Sequence, residues 1–169
     1  CLVGSEMCIR DRLPHLLAFS LQVSGMQSES LGNTDKEVFD KYGLVWIVTD
    51  YAIEIDRLPR YNEKVTITTE AVSYNKIFCY RNFYITDETG QQIMLFKTTF
   101  ALMDYETRKV AEVPDEVVAP YGADKIKKLI RGPRYKALEN PIETLYRVRY
   151  FDLDMNGHVN NSKYLEWML

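Results

Sequence analysis

The chain has 169 residues, enough for one full domain and a little more. Its net charge of −3 argues against a general nucleic-acid surface, which needs a basic stripe, and no apolar run approaches the length of a membrane span. The cysteines Cys1, Cys8 and Cys79 have the spacing of neither a disulfide framework nor a metal site. We therefore expect a globular cytoplasmic protein without a metal or a cofactor.

The stretch 1–12 differs in character from everything that follows it. It lacks the basic start and the apolar centre of a signal peptide. Its sequence is typical of a translated sequencing adapter at the end of an assembled gene, and a genuine N-terminal tail is the alternative. We expect residues 1–12 to be foreign to the protein, so that Cys1 and Cys8 have no function and the natural N-terminus is missing.

Two helices are predicted next. Helical spacing of apolar residues indicates a helix over 13–30, with Pro14 in its first turn. Gly25 costs this helix about 1 kcal/mol relative to Ala, and either a closely approaching sheet or ligand or plain tolerance would explain it. Thr34 and Glu37 predict a capping box for a second helix over 33–42, and Gly43 predicts its end. His15 is predicted to be a surface or capping residue, because no carboxylate or nucleophile accompanies it.

From residue 44 the pattern becomes that of β-strands joined by tight turns. The residues around 73–75 are predicted to be a break or a bulge, and 87–90 is predicted to be a hairpin turn. The predicted strands are 44–56, 65–71, 76–85, 92–103 and 108–113. This order predicts an antiparallel sheet with a helix on one face.

Aromatic side chains are frequent on these strands. They suit a sheet–helix core better than a ligand pocket, and Cys79 is also expected in the core. The aromatic residues considered are Trp46, Tyr51, Phe78, Tyr80, Phe83 and Phe100.

A proline-containing and charged stretch, 114–140, then predicts a linker. The residues from Pro141 onward begin a second unit, with a β-rich run at 146–150 and a helix from about Asn160.

A carboxylate, an amide and an imidazole occur two residues apart between that run and that helix. Asp154, Asn156 and His158 would lie on the connecting turn, where rigid elements on both sides can position side chains. The N-terminus of the following helix offers N–H donors to developing negative charge. The alternative is ordinary turn chemistry, in which Asn160 or Asn161 only caps the helix.

The run 152–167 resembles the signature of acyl-acyl-carrier-protein thioesterases, which release fatty acids from the acyl carrier protein. Residues 23–27 and the region 46–60 also resemble bacterial members, so the resemblance covers about 13–169. It implies an α+β protein of two tandem hotdog folds, each a long helix wrapped by an antiparallel sheet. We expect one nearly complete unit at 13–113 and the start of a second, incomplete unit at 141–169.

The resemblance implies that Asp154, Asn156 and His158 match catalytic positions. In one interpretation His158 is a base and Asn156 orients it or the substrate. In the other, Asp154 activates water or attacks directly, while Asn156 and His158 bind the thioester. The family also uses a Glu and a Cys, or a substitute for it, that would lie beyond Leu169, and Cys79 is not their equivalent. We therefore expect an active parent enzyme and a nearly inactive fragment.

The implied partner is an acyl carrier protein with its fatty acyl-phosphopantetheine, and neither nucleic acid nor membrane is expected. Arg57, Arg60 and Arg81 would suit an acidic carrier or a phosphate, but solvated charges at a sheet edge are the favoured interpretation. The oligomeric state is open, with a homodimer as one alternative. The rival functions are a hotdog acyl-coenzyme-A thioesterase and a non-catalytic module that binds acyl groups or the carrier.

Overall fold

A computed structural model describes residues 5–130, 132, 136–137, 139–153 and 159–168. The chain forms two compact units, Phe19–Ile130 on its own and Cys1–Ala18 with Arg131–Leu169. The helices and strands are α1 (Ser5–Ser30), α2 (Asp35–Tyr42), β1 (Leu44–Ile55), β2 (Thr66–Tyr74), β3 (Phe78–Thr86), β4 (Gln92–Asp104), α3 (Asp115–Val118), β5 (Asp124–Lys125) and α4 (Asn161–Met168). Single 3-10 turns lie at Ala119–Tyr121 and Tyr150–Asp152.

The first helix begins at Ser5, earlier than predicted, so Pro14 lies inside it and not in its first turn. The prediction was wrong because nothing between Ser5 and Leu13 breaks a helix: the segment contains neither glycine nor proline. A Cβ at Gly25 would meet no atom within 4 Å, so plain tolerance explains this glycine and a close approach does not. The foreign origin of residues 1–12 stays a prediction.

The ends of α2 are formed as the sequence predicts. Thr34 Oγ1 accepts from the Glu37 N–H at 3.2 Å, and Glu37 Oε2 accepts from the Thr34 N–H at 2.7 Å. Gly43 takes the left-handed conformation, with φ of 65°, and its N–H donates to the Phe39 carbonyl. Each of these contacts satisfies a backbone group that a helix end would otherwise leave unpaired.

The sheet has the strand order β1-β4-β3-β2-β5. The first four strands pair antiparallel and confirm four of the predicted strands, while β5 pairs parallel to β2. The pairing of β2 with β3 shifts between Ala71 and Ser73, so the predicted irregularity is a bulge, and the strand ends at Tyr74. The predicted hairpin turn is present, with the Gly90 N–H donating to the Asp87 carbonyl.

The strand predicted over 108–113 is wrong. Only an isolated bridge between Met103 and Val110 forms there. Asp104 Oδ1 accepts from the Thr107 N–H at 2.7 Å, and Arg108 follows with a left-handed φ of 56°. This backbone turn directs the chain out of an extended path. The fifth strand is β5 instead, within the stretch that the sequence predicts to be a linker.

The core of the unit Phe19–Ile130 confirms the packing interpretation for Phe83, Trp46 and Phe100. Phe83 and Phe96 are fully buried opposite each other, and Trp46 contacts Phe100 edge to face at 6.2 Å. A further cluster of buried residues consists of Val38, Leu44, Tyr74, Leu102, Val113, Val117 and Val118. Cys79 packs against this cluster, and burial raises the pKa of its thiol to about 12. It is therefore a core residue and a poor nucleophile.

The charge of Arg57 is balanced by two carboxylates of the same chain. Its Nη2 lies 2.7 Å from Glu63 Oε1 and 2.7 Å from Asp87 Oδ2. The hydrogen bond from Arg57 lowers the pKa of Glu63 to about 2. The pKa of Asp87 is also lowered to about 2, first by the Thr89 hydroxyl and then by Arg57. This group joins the loop after β1 to the turn between β3 and β4.

We expect Arg57→Met to lower stability at pH 7 and to flatten the acid limb of the stability curve. Both carboxyl pKa values lie below the ordinary range of about 4, so their stabilisation is present above about pH 4.5. In the parent chain it is lost as the pH falls to about 2. Urea unfolding from pH 7 to pH 2 measures this difference. Arg60→Met, at an exposed arginine of the same loop, is the control. Equal pH dependence in the parent and Arg57→Met would contradict the expectation.

Candidate active site

The predicted catalytic residues Asp154, Asn156 and His158 lie outside the described residues, but the structure describes the chain on both sides of them. Leu153 and Val159 form an isolated antiparallel bridge. The chain therefore leaves the described part and returns to it at two adjacent points. The segment 154–158 is therefore connected at both ends to one bridged pair of residues, Leu153 and Val159.

The strand predicted at 146–150 is not formed. Among residues 139–153 only Leu153 has a β partner, and a 3-10 turn, Tyr150–Asp152, precedes it. A strand needs a neighbour for its backbone groups, and this segment has none among the described residues. Its apolar side chains remain in solvent: Leu145 is fully exposed and Phe151 is 88% exposed.

Asp152 connects this turn to the next helix. It is 4% exposed, and its Oδ2 accepts from the Arg149 N–H at 2.7 Å. Its carbonyl accepts from the Asn160 N–H at 2.8 Å, and its Oδ1 lies 3.7 Å from Lys163 Nζ. A buried carboxylate with these partners fixes the turn before the site. Asp152 is not among the site residues predicted from the sequence, although its spacing from Arg149 suits such a turn.

Asn160 caps α4, as the turn interpretation predicts. Its Oδ1 accepts from the Ser162 N–H at 3.0 Å and from the Ser162 hydroxyl at 2.9 Å. The Lys163 N–H donates to the Asn160 carbonyl at 2.9 Å. These N–H groups of the first turn are therefore already bonded, which limits what the helix N-terminus could donate to a substrate.

Aromatic contacts hold α4 against the chain that precedes the site. The rings of Tyr146 and Trp167 lie 4.2 Å apart with an interplanar angle of 31°. Tyr164 meets Trp167 edge to face at 5.4 Å. Residues on both sides of 154–158 are thus packed together, through Tyr146 before the segment and Trp167 after it.

Arg81, one of the predicted solvated arginines, is buried instead. It is 9% exposed and lies on β3. Its Nη1 donates to Gln27 Oε1 at 2.6 Å and to Thr69 Oγ1 at 2.8 Å, and its guanidinium lies 5.1 Å from the Tyr121 ring centre. The solvated interpretation was wrong because the alternation of β3 turns this side chain to the same face as Phe83.

Arg60 fits the solvated interpretation, because it is exposed. Lys125 pairs with Asp115 Oδ2 at 2.6 Å, with both side chains exposed. His15 is exposed on α1, as predicted. No described helix combines the length and the apolar composition that crossing a membrane requires.

Comparisons with known proteins identify the family. Residues 5–121 match the family model of the acyl-acyl-carrier-protein (ACP) thioesterase N-terminal domain, and residues 135–169 match that of the C-terminal domain. The acyl-[acyl-carrier-protein] hydrolase FATB3 of Cuphea viscosissima is 29% identical over 153 residues. That match covers 86% of this chain and 37% of the Cuphea protein, so the chain spans well under half of this relative.

Two solved structures resemble the chain closely. One, described as an oleoyl thioesterase of Lactobacillus plantarum, has 39% identity and a TM-score of 0.84, and the match covers 92% of this chain and 61% of that one. An acyl-ACP thioesterase of Bacteroides thetaiotaomicron has 26% identity and a TM-score of 0.77, with 92% and 63% covered. The predicted α+β hotdog class is confirmed, and the chain belongs to the acyl-ACP thioesterase family.

Proposed function

We propose that the protein containing this chain hydrolyses fatty acyl thioesters of the acyl carrier protein and releases the free fatty acid. The observation that carries this proposal is the match of both family domains, in order, along one chain. The similarity to the L. plantarum and B. thetaiotaomicron structures supports it. The carrier protein with its acyl-phosphopantetheine is the proposed partner.

We assign the chemistry to Asp154, Asn156 and His158. Hydrolysis requires an activated water or nucleophile at the thioester carbon, stabilisation of the carbonyl oxygen, and a proton for the leaving thiol. In one assignment His158 is the base that activates the water, and Asn156 orients His158. Asp154 as base or nucleophile, with Asn156 and His158 binding the thioester, is the other assignment. The bridge at Leu153 and Val159 supports a positioned site between them.

The 169-residue chain by itself is proposed to lack turnover, because it spans 37% of the Cuphea protein and 61% of the L. plantarum chain. A cytoplasmic location and self-association as a homodimer stay predictions. The names of the plant relatives place those proteins in the chloroplast.

The test is a substrate panel on the protein expressed from the complete reading frame of its gene. We expect kcat/KM for lauroyl-ACP to exceed that for lauroyl-coenzyme A by about tenfold or more, because contacts with the carrier add binding energy in the transition state. The 169-residue chain is the control and should show background rates. A preference for lauroyl-coenzyme A would favour the acyl-coenzyme-A thioesterase. Tight binding of lauroyl-ACP without hydrolysis would favour the binding module.

A further inference from the structure

The buried residue Asp152 contacts the chain on both sides of the segment 154–158. Its Oδ2 accepts from the Arg149 N–H at 2.7 Å, which closes the turn before the segment. Its backbone carbonyl accepts from the Asn160 N–H at 2.8 Å, where the chain returns. Its Oδ1 lies 3.7 Å from Lys163 Nζ, in the first turn of α4. Asp152 therefore links the turn, the returning chain and the helix.

The contact between Asp152 and Asn160 lies beside the predicted catalytic residues in the sequence. Asp152 precedes Asp154 by two positions, and Asn160 follows His158 by two positions. Each residue contributes only two freely rotating backbone angles, so a displacement of either anchor is transmitted to the segment between them. A misplacement of about 1 Å in a catalytic group can lower the rate by about 10²-fold. The anchors at Asp152 and Asn160 are therefore close enough to the site to affect the chemical step.

The same contacts argue against Asp152 as the base or the nucleophile. Its side chain is buried, its Oδ2 is bonded to the Arg149 N–H, and its Oδ1 faces Lys163 Nζ. A general base must come within hydrogen-bond distance of the proton that it removes, and a nucleophile must reach the thioester carbon. Asp152 can therefore orient its neighbours, and the reacting carboxylate of the second assignment remains Asp154.

The ion pair with Lys163 explains why a carboxylate is suited to this position. Buried charges are normally paired, and Lys163 Nζ is the cation that faces Asp152 Oδ1. The same amine lies 2.6 Å from Glu166 Oε2 on the next turn of α4, which orients it. A neutral side chain at position 152 could accept from the Arg149 N–H but would not attract Lys163.

We propose that Asp152 is a positioning residue of the candidate active site. It holds the two ends of the segment 154–158 in the arrangement that hydrolysis requires, through the Arg149 N–H, the Asn160 N–H and the amine of Lys163. It acts through these neighbours and does not touch the substrate. This inference rests on the proposed hydrolysis and adds to it a residue that determines the rate of the chemical step.

The test measures kcat and KM for lauroyl-ACP with two variants of the full-length protein. Asp152→Ala should lower kcat by about 10²-fold and change KM by less than about twofold, because the acyl chain and the carrier make most of the binding contacts. Asp152→Asn keeps an oxygen that can accept from the Arg149 N–H but loses the attraction to Lys163. It should therefore fold, and it should lose only about three- to tenfold in kcat.

Asp87→Ala is the matched control, because it removes a comparably buried carboxylate that also pairs with a cation. The Asp87 side chain is 9% exposed and lies 2.7 Å from Arg57 Nη2, within the unit Phe19–Ile130. This variant should lower the Tm but leave kcat within about twofold of the parent. The comparison separates a positioning role from a general loss of stability.

A second measurement does not depend on turnover. Hydrogen exchange of the Asn160 amide in the 169-residue chain should become about tenfold or more faster in Asp152→Ala and should stay unchanged in Asp87→Ala. Unchanged kcat in both Asp152 variants would overturn the inference, as would an equal loss of kcat in Asp87→Ala or unchanged exchange at Asn160. A parent protein without turnover would instead overturn the proposed hydrolysis, a result distinct from an active parent with unaffected variants.

Discussion

In the full-length protein, His158→Ala is expected to lower kcat by roughly 10²–10⁴-fold, the range that a positioned acid or base contributes. Binding of lauroyl-ACP should remain close to that of the parent protein, because the acyl chain and the carrier make most of the contacts. Single-turnover hydrolysis measures the chemical step, and a binding titration with the variant measures affinity separately.

His15→Ala is the matched control, since His15 is the other histidine of this chain and lies exposed on α1. It should leave both turnover and binding unchanged. Unchanged turnover in His158→Ala would end the catalytic interpretation of the motif, and loss of binding together with turnover would point to a structural role for His158.

The pH profile of kcat/KM distinguishes the two assignments for Asp154 and His158. If His158 is the base, activity should fall below about pH 6.5, the ordinary value of an imidazole. If Asp154 activates water or attacks, the acid limb should lie near pH 4 and Asp154→Asn should remove activity.

Phe96→Ala is expected to lower the free energy of unfolding by about 3–5 kcal/mol, the usual cost of deleting a buried phenyl ring. Phe96 is fully buried on β4 opposite the equally buried Phe83. Water therefore cannot fill the cavity that the deleted ring would leave. A domain has only about 5–15 kcal/mol of stability in total, so this variant should be close to unfolding at ambient temperature.

Urea unfolding followed by far-ultraviolet circular dichroism measures the loss. The matched control is Tyr61→Ala, which removes an aromatic ring that is 92% exposed and should change stability by less than about 0.5 kcal/mol. Similar losses in both variants would mean that the sheet core does not determine stability.

The elements that could be predicted from the sequence are those whose signals are local. Thr34, Glu37 and Gly43 specify both ends of α2 within a few residues of each other, and the observed contacts confirm them. The first four strands have long β-prone runs bounded by turns. The strand β5 has no such signal, because it consists of Asp124 and Lys125 and pairs with Ser73 and Tyr74, much earlier in the chain.

The failures have the same origin. The β-rich composition at 146–150 does not reveal that no neighbouring strand is available among the described residues. At 108–113 a neighbour is available, but only Val110 bridges to Met103, because Arg108 takes a left-handed conformation. The sequence predicts that Arg81 is solvated, because its partner Gln27 lies 54 positions away in the chain. For the candidate site, the order of residue types from 152 to 167 identifies the family. The positions of Asp154, Asn156 and His158 relative to each other lie outside the described residues.

The short strand β5 also determines how the unit Phe19–Ile130 responds to mechanical tension. The strand is joined to β2 at Ser73 and Tyr74 only, with one further bond from the Ile126 N–H to the Tyr74 carbonyl. The antiparallel ladder of β1 with β4, in contrast, extends from Leu44 to Ile55. A load transmitted through the chain beyond Ile130 acts first on the bonds of Ile130 with Tyr80 Oη and of the Lys128 carbonyl with Asn75 Nδ2, and then on the few bonds of β5. The strand β5 detaches while the four longer strands remain paired.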